Sequence, residues 1–271
     1  MSRPLEIAHI VIALGAASCA AASLAPTLGA AALWDPLVFW IGAAAGWTYT
    51  FQRWWKWRRN PADLSPDRRR AFERNPWSGL IVWSSIFLAA SCTLLAHAAL
   101  DFMAFLPWAA GGGLLAAAYA TFPIRLPGGL RGVPGLKLPL IALAWAWATV
   151  ALPLLGTGSW HELSWAVALG QFLFIAGLTI PFDIRDLAQD PPGLRTLPQW
   201  LGAHESLRIA LILLAVSAAI FVQTPDQSGR MALSLIALPI VAFGPVPRRE
   251  AYYTWLLDGL LILQGPLVVL L

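Results

Sequence analysis

The chain has 271 residues, of which 58% are hydrophobic and only 12% are charged. This composition excludes an ordinary soluble domain, in which about a quarter of the residues are charged. The formal net charge is +4, and the placement of the basic residues relates this charge to membrane topology and not to nucleic-acid binding.

Apolar stretches long enough to cross about 30 Å of hydrocarbon recur along the whole chain. We predict nine transmembrane helices in a single membrane domain over residues 1–271, so the predicted fold class is an all-α polytopic helical bundle. The helices are predicted at Ile7–Leu33, Pro36–Phe51, Trp77–Ala96, Phe102–Thr121, Leu138–Gly156, Leu163–Phe182, Leu207–Val222, Met231–Gly244 and Tyr252–Leu271. The second and eighth are compact enough to be tilted or partly re-entrant. The first is too long for the core of a signal peptide, so no cleavable signal is expected.

The basic residues orient these helices. Every Lys and Arg except Arg230 falls on the inner side when the N-terminus is placed inside. This bias follows the positive-inside rule and agrees with an odd number of spans. We therefore expect a protein of the bacterial inner (cytoplasmic) membrane, with its N-terminus in the cytoplasm and its C-terminus outside. The Arg-rich cytoplasmic loop would attract anionic lipid head groups.

In this topology the longer loops face the cytoplasm, among them residues 52–76 and 183–206, and the outer loops are short. The two cysteines lie inside apolar stretches and the four histidines are scattered. No disulfide framework, histidine metal site or haem site is therefore predicted.

Three carboxylates follow the sixth predicted helix. Asp183, Asp186 and Asp190 would share one face of a continuing helix, within about 10 Å along its axis. Carboxylates in that position repel one another and lose solvation near the membrane, and a divalent cation or a basic partner would offset both costs. The alternative is a solvated helix end, because charged residues normally follow a membrane span.

The layout resembles the UbiA superfamily of intramembrane prenyltransferases. That family has nine helices, an inside N-terminus and aspartate motifs in the cytoplasmic loops after helices two and six. The spacing Asp183-x-x-Asp186-x-x-x-Asp190 resembles the second motif. Residues 195–202 are similar to the segment that leads into helix seven, and residues 119–137 to the family's fourth loop. The resemblance covers nearly the whole chain in layout and is sharp from about residue 119 to residue 207.

The chain departs from the family at the first aspartate motif. The equivalent stretch, residues 49–58, contains no carboxylate, and none occurs between Asp35 and Asp63. The family's Tyr-x-x-x-Lys motif is also incomplete, because Pro123 stands four residues after Tyr119 and Arg125 two residues further on.

The resemblance implies a prenyltransferase that moves a prenyl group from a prenyl diphosphate to an acceptor, with a remodelled diphosphate site. It implies Mg²⁺ held by Asp183, Asp186 and Asp190. The diphosphate would be bound by Arg53, Lys56, Tyr119, Arg125 and Lys137. Expected partners are membrane lipid and an isoprenoid diphosphate, and no nucleic acid.

Other interpretations stay open. Arg53 and Lys56 could replace part of the missing metal charge on a diphosphate. They could instead pair with the aspartates and close a chemically idle cavity, or they could be solvated positive-inside markers. The matching alternative functions are a non-catalytic UbiA-fold membrane protein that binds lipid or acts as a structural subunit, and a transporter, for which the inverted repeats are not evident.

Overall fold

The computed structural model describes residues 4–59, 61, 66–97, 102–121, 129–188, 190, 194–243 and 251–271. Within these ranges the chain is almost entirely helical and contains no strand. The α-helices are α1 (Pro4–Leu28), α2 (Pro36–Arg59), α3 (Pro66–Arg74), α4 (Ser78–Leu95), α5 (Phe102–Thr121), α6 (Lys137–Ala146), α7 (Leu152–Gly156), α8 (Trp165–Arg185), α9 (Leu197–Val222), α10 (Ser228–Ala242) and α11 (Asp258–Leu270).

Single π turns join some of these helices into longer rods. The turn Trp147–Ala151 connects α6 to α7, and the turn Tyr252–Leu257 leads directly into α11. Short 3-10 segments follow α1 at Gly29–Trp34 and α8 at Asp186–Ala188.

Six stretches among the described residues are long and apolar enough to cross a membrane. They are His9–Trp34, Ser78–Leu95, Lys137–Gly156, Trp165–Arg185, Leu197–Val222 and Tyr252–Leu270. Two shorter apolar helical segments, Phe105–Tyr119 and Ser228–Ala242, belong to α5 and α10. The expected all-α membrane bundle is therefore confirmed, and the number of nine crossings stays a prediction.

The helices pack in two large apolar cores, and a third, small one contains Val150, Val167 and Phe221. The first lies among α8, α9, α10 and α11 and contains the fully buried Phe174, Leu214 and Leu257. The second lies between α1, α2 and α5 and contains Leu24 and Leu37. Helix α1 contacts both α2 and α11 extensively, so it connects the two parts of the bundle.

A serine on α1 compensates for a proline in the last helix. Pro266 lies inside α11 and has no N–H to donate to the carbonyl of Ile262, one turn earlier. Ser18 Oγ donates to that carbonyl at 2.6 Å and accepts from the Gly265 N–H at 2.8 Å. Ser23 Oγ likewise donates to Thr149 O at 2.6 Å, the carbonyl that Pro153 cannot reach. Backbone groups away from water need such partners, so these contacts hold α1 against its neighbours.

Most helix boundaries differ from the sequence prediction by a few residues, and two differ by eight or more. Helix α2 continues to Arg59 and does not end at Phe51, because Arg58 and Arg59 stack on the aromatic residues one turn earlier, 5.8 and 5.6 Å from the ring centroids. Helix α9 starts at Leu197, ten positions before the predicted Leu207, and bends at Gly202, where φ is 80°. Glycine adopts this positive φ without a steric penalty.

Candidate functional site

The three acidic residues do not lie on one straight helix, contrary to the spacing argument. Helix α8 ends at Arg185, Asp183 is in its last turn, and Asp186 begins the 3-10 segment Asp186–Ala188. The Asp190 N–H donates to Asp186 O at 2.8 Å, the spacing of one helical turn. The ion pairs of the three carboxylates divide them into two groups.

Lys137 joins Asp183 and Asp190. It is the first residue of α6, and its Nζ lies 2.7 Å from Asp183 Oδ1 and 2.8 Å from Asp190 Oδ2. The side chains of the three residues are only 7%, 2% and 9% exposed. We call these three residues the Lys137 cluster. A buried pair of carboxylates requires a compensating cation, and the protein supplies one from the neighbouring helix.

Asp186 pairs with the residue before it. Arg185 Nε and Nη2 donate to the two carboxylate oxygens of Asp186 at 2.8 and 3.3 Å. The Arg185 guanidinium also lies 4.6 Å from the ring centroid of Tyr253 and 5.2 Å from that of Phe182. A regular helix would have directed Arg185 about 100° away from the aspartates. Arg185 instead lies beside Asp186, because α8 ends there and the π turn at Tyr252–Leu257 presents Tyr253 beside the guanidinium.

Backbone and amide contacts hold the segment that follows. Gln199 Nε2 donates to Asp190 O at 3.2 Å, and Gln199 Oε1 accepts from the Thr196 N–H at 3.1 Å. The second bond is part of a capping box at the start of α9. Gly135 N donates to Leu194 O at 3.1 Å, which ties the chain before α6 to the same segment. Asp190 and Lys137 are thereby positioned from both sides.

Three further residues of the predicted site lie near the C-terminal ends of their helices: Arg53 and Lys56 in α2, and Tyr119 in α5. Arg53 and Lys56 are half-buried in the last turns of α2 and not in a loop. Gln52 Nε2 donates to Ala116 O at 3.1 Å, so this end of α2 packs on α5 close to the half-buried Tyr119. Arg125 lies outside the described residues.

The carboxylates do not fit the predicted Mg²⁺ site in this arrangement. No group of three or more His, Cys, Asp or Glu side chains in the described part of the chain is placed to hold a metal ion. Two of the aspartates share the Lys137 ammonium, and the third is paired with Arg185. The pairing of Lys137 with the aspartates was not predicted from the sequence, which placed Lys137 only among the diphosphate ligands.

Comparison of the sequence with family models and with curated proteins finds no match. Three solved structures match in fold, all of UbiA homologues from Archaeoglobus fulgidus. The homologue bound to GPP and Mg²⁺ has a TM-score of 0.62 and 16% identity, the homologue without a stated ligand 0.61 and 16%, and the homologue bound to DMAPP and Mg²⁺ 0.57 and 15%. Each comparison covers 100% of this chain and 98% of the other. The chain therefore has the fold of the UbiA homologues over its whole length, as the sequence resemblance implied.

Proposed function

We propose that the protein binds an isoprenoid diphosphate at the end of the bundle that carries the Lys137 cluster and transfers the prenyl group to an acceptor in the membrane. Support comes from the fold, which matches UbiA homologues bound to GPP and to DMAPP along the whole chain. Further support comes from Arg53 and Lys56 in the last turns of α2, where the sequence lacks the first acidic motif of that family, and from Lys137 at the start of α6.

In this proposal, basic side chains supply the positive charge that binds the diphosphate. The Lys137 cluster contains one ammonium and two carboxylates, so it carries a net charge of −1 when all three are ionised. Arg53 and Lys56 add two positive charges and reverse that sign. An ammonium has three N–H donors. Lys137 Nζ donates to Asp190 Oδ2 at 2.8 Å and lies 2.7 Å from Asp183 Oδ1 as an ion pair, which leaves a donor for a phosphoryl oxygen.

In the reaction the bond between the prenyl carbon and the diphosphate oxygen breaks, and inorganic diphosphate leaves. The acceptor forms the new bond to the prenyl carbon and loses a proton. Cations aimed at the leaving oxygens stabilise this transition state, and Arg53, Lys56 and Lys137 would have that role. Exclusion of water by the bundle protects the reactive prenyl group from hydrolysis.

The Lys137 cluster also favours a second candidate, a non-catalytic lipid-binding or structural membrane protein. A lysine bonded to two buried carboxylates neutralises acidic residues of the kind that such enzymes use, and it closes the space between α6 and α8. In that case the cluster would only stabilise the bundle.

A transfer assay separates the two candidates. The purified protein, reconstituted with bacterial membrane lipids as a source of acceptor, is incubated with radiolabelled geranyl diphosphate. Label should pass into the lipid extract, and Arg53→Ala should lower the rate at least about tenfold, the equivalent of about 1.4 kcal/mol.

The matched control is Arg70→Ala, which removes an exposed arginine on α3 and should leave the rate unchanged. If geranyl diphosphate binds but no label is transferred with lipids from several sources, the non-catalytic candidate is favoured.

A further inference from the structure

A second charged site lies far from the Lys137 cluster, at the other end of α9. Arg230 is in the first turn of α10 and is 0% exposed, the largest of the fully buried side chains. It is also the one basic residue that the topology argument leaves on the outer side. The proposed prenyl transfer does not use it.

Arg230 is only partly satisfied by its neighbours. Its Nη2 donates to Ser23 Oγ at 2.6 Å and to Cys19 O at 3.4 Å. Its Nε and Nη1 have no hydrogen-bond partner among the described residues. Since a guanidinium has five N–H donors, three of them are buried without an acceptor.

The groups around Arg230 are neutral. Cys19 Sγ donates to Leu261 O at 3.6 Å, which requires the protonated thiol. Ser217 and Ser234 give their protons to the backbone carbonyls of Gly170 and Arg230. Gln171 and Gln264 bond to each other through both amides, at 3.1 and 2.7 Å. No carboxylate of the described residues pairs with the guanidinium.

The aromatic ring of Phe221 also lies beside Arg230, with its centroid 5.9 Å from the guanidinium carbon. A guanidinium is not deprotonated in proteins. A buried cation without a counter-charge is costly, and inside a membrane such a residue normally has a partner.

We propose that Arg230 is the centre of a buried binding site for a small monovalent anion, among α1, α9 and α10. A monovalent anion cancels the single positive charge, whereas a divalent one would leave an excess negative charge in the same apolar surroundings. The free donors on Nε and Nη1 would contact it directly.

The close packing of the first turn of α10 favours a halide over a polyatomic anion. A Cβ at Gly229 would lie 2.4 Å from the backbone of Leu267 and Val268, so α10 and α11 are in close contact at the residue that precedes Arg230. Chloride is therefore the probe that the site should accept, and gluconate is the monovalent anion that it should exclude by size.

The test is thermal unfolding of the detergent-purified full-length protein in sodium chloride and in sodium gluconate at the same ionic strength. The melting temperature should rise with chloride concentration to a plateau, because a ligand bound only by the folded state stabilises it by mass action. Gluconate should give no such saturable rise. Equal curves in the two salts for the wild-type protein would overturn the proposal and would indicate that water alone satisfies the guanidinium.

Two variants locate the effect. Arg230→Gln should melt at the same temperature in both salts, while Arg70→Gln, an exposed arginine on α3, should keep the chloride-dependent rise. If Arg230→Gln keeps the rise, the anion binds elsewhere and the assignment fails. If that variant does not fold, direct binding of radioactive chloride to the wild-type protein, with one saturable ion per chain expected and none contradicting the site, decides the matter.

Discussion

Lys137 is a cation that the protein itself places between two buried carboxylates. Its side chain is anchored at the start of α6, and both ion pairs are shorter than 3 Å, at 2.7 and 2.8 Å. Exposed pairs of the same length, such as Arg208 with Glu205 at 2.7 Å, are screened by water and contribute little. Burial therefore distinguishes the Lys137 cluster from the surface ion pairs.

Replacing Lys137 by methionine should destabilise the protein by about 3–5 kcal/mol, because two buried carboxylates lose the cation that they share. Thermal or denaturant unfolding in detergent measures the loss. Arg208→Met should cost no more than about 1 kcal/mol. Added Mg²⁺ should raise the melting temperature of Lys137→Met more than that of the wild type, since the free carboxylates become ligands for a divalent cation. A Lys137→Met variant as stable as Arg208→Met would contradict this role.

Sequence reasoning identified the acidic residues but not their partners. Asp183, Asp186 and Asp190 were evident because three closely spaced carboxylates at the end of an apolar span repel one another and lose solvation unless a cation offsets both costs. Lys137 is 46 positions before Asp183 in the chain, and their pairing depends on the packing of α6 against α8. No local periodicity encodes that contact. Likewise, the cost of burying Arg230 appears only when α1, α9 and α10 are assembled.

At the scale of single helices, a proline in a membrane span leaves a backbone carbonyl without its usual donor. A polar residue on a neighbouring helix is then needed to supply the hydrogen bond. Pro266 leaves the carbonyl of Ile262 without its usual donor, and Ser18 of α1 supplies the bond. A serine in an otherwise alanine-rich apolar helix reads in the sequence as a small packing residue. Its role is visible only once α1 lies against α11.

Ser18→Ala should therefore destabilise the protein by about 1–3 kcal/mol, the cost of leaving a buried carbonyl unpaired. In the double variant Ser18→Ala/Pro266→Ala the new N–H of residue 266 can donate to Ile262 O, so much of this loss should be recovered. Unfolding of the two single variants and the double variant gives the coupling energy. Ser85→Ala, which removes an exposed hydroxyl bonded within its own helix, is the control and should change stability little. Strictly additive effects of the two substitutions would refute the compensation.

The sequence was sufficient to predict which segments are helical, but not where several of the helices begin and end. Hydropathy and length identified the apolar helices because a bilayer admits few other structures. The basic and aromatic residues after Phe51 suggested a loop, yet the stacking of Arg58 on Trp54 extends α2 to Arg59. The seventh helix was predicted to begin at Leu207, and the capping box at Thr196 starts it earlier, at Leu197.

At the scale of the whole molecule, the two charged sites lie at opposite ends of the bundle. The Lys137 cluster is at the end where α6 begins and α8 ends, and Arg230 is at the end where α9 ends and α10 begins. The positive-inside bias predicts that the first end faces the cytoplasm and the second the outside. A diphosphate made in the cytoplasm would then reach the Lys137 cluster without crossing the membrane.

Reporter fusions test that orientation. An enzyme that is active only outside the cytoplasm should be active when fused after Leu271 and inactive when fused after Arg74, at the end of α3. The opposite pattern would invert the topology, and inactivity of both fusions would exclude an odd number of crossings. Matched expression of the two fusions, measured by immunoblot, is the control.

The proposed function requires that side-chain cations bind an isoprenoid diphosphate. Titration calorimetry of the detergent-purified protein with geranyl diphosphate, in excess EDTA, measures this binding at equilibrium. We expect saturable binding that persists in EDTA and weakens about tenfold or more, equivalent to about 1.4 kcal/mol, in Arg53→Ala but not in Arg70→Ala. Binding that is absent in EDTA and appears only with Mg²⁺, or that is absent in both, would contradict it.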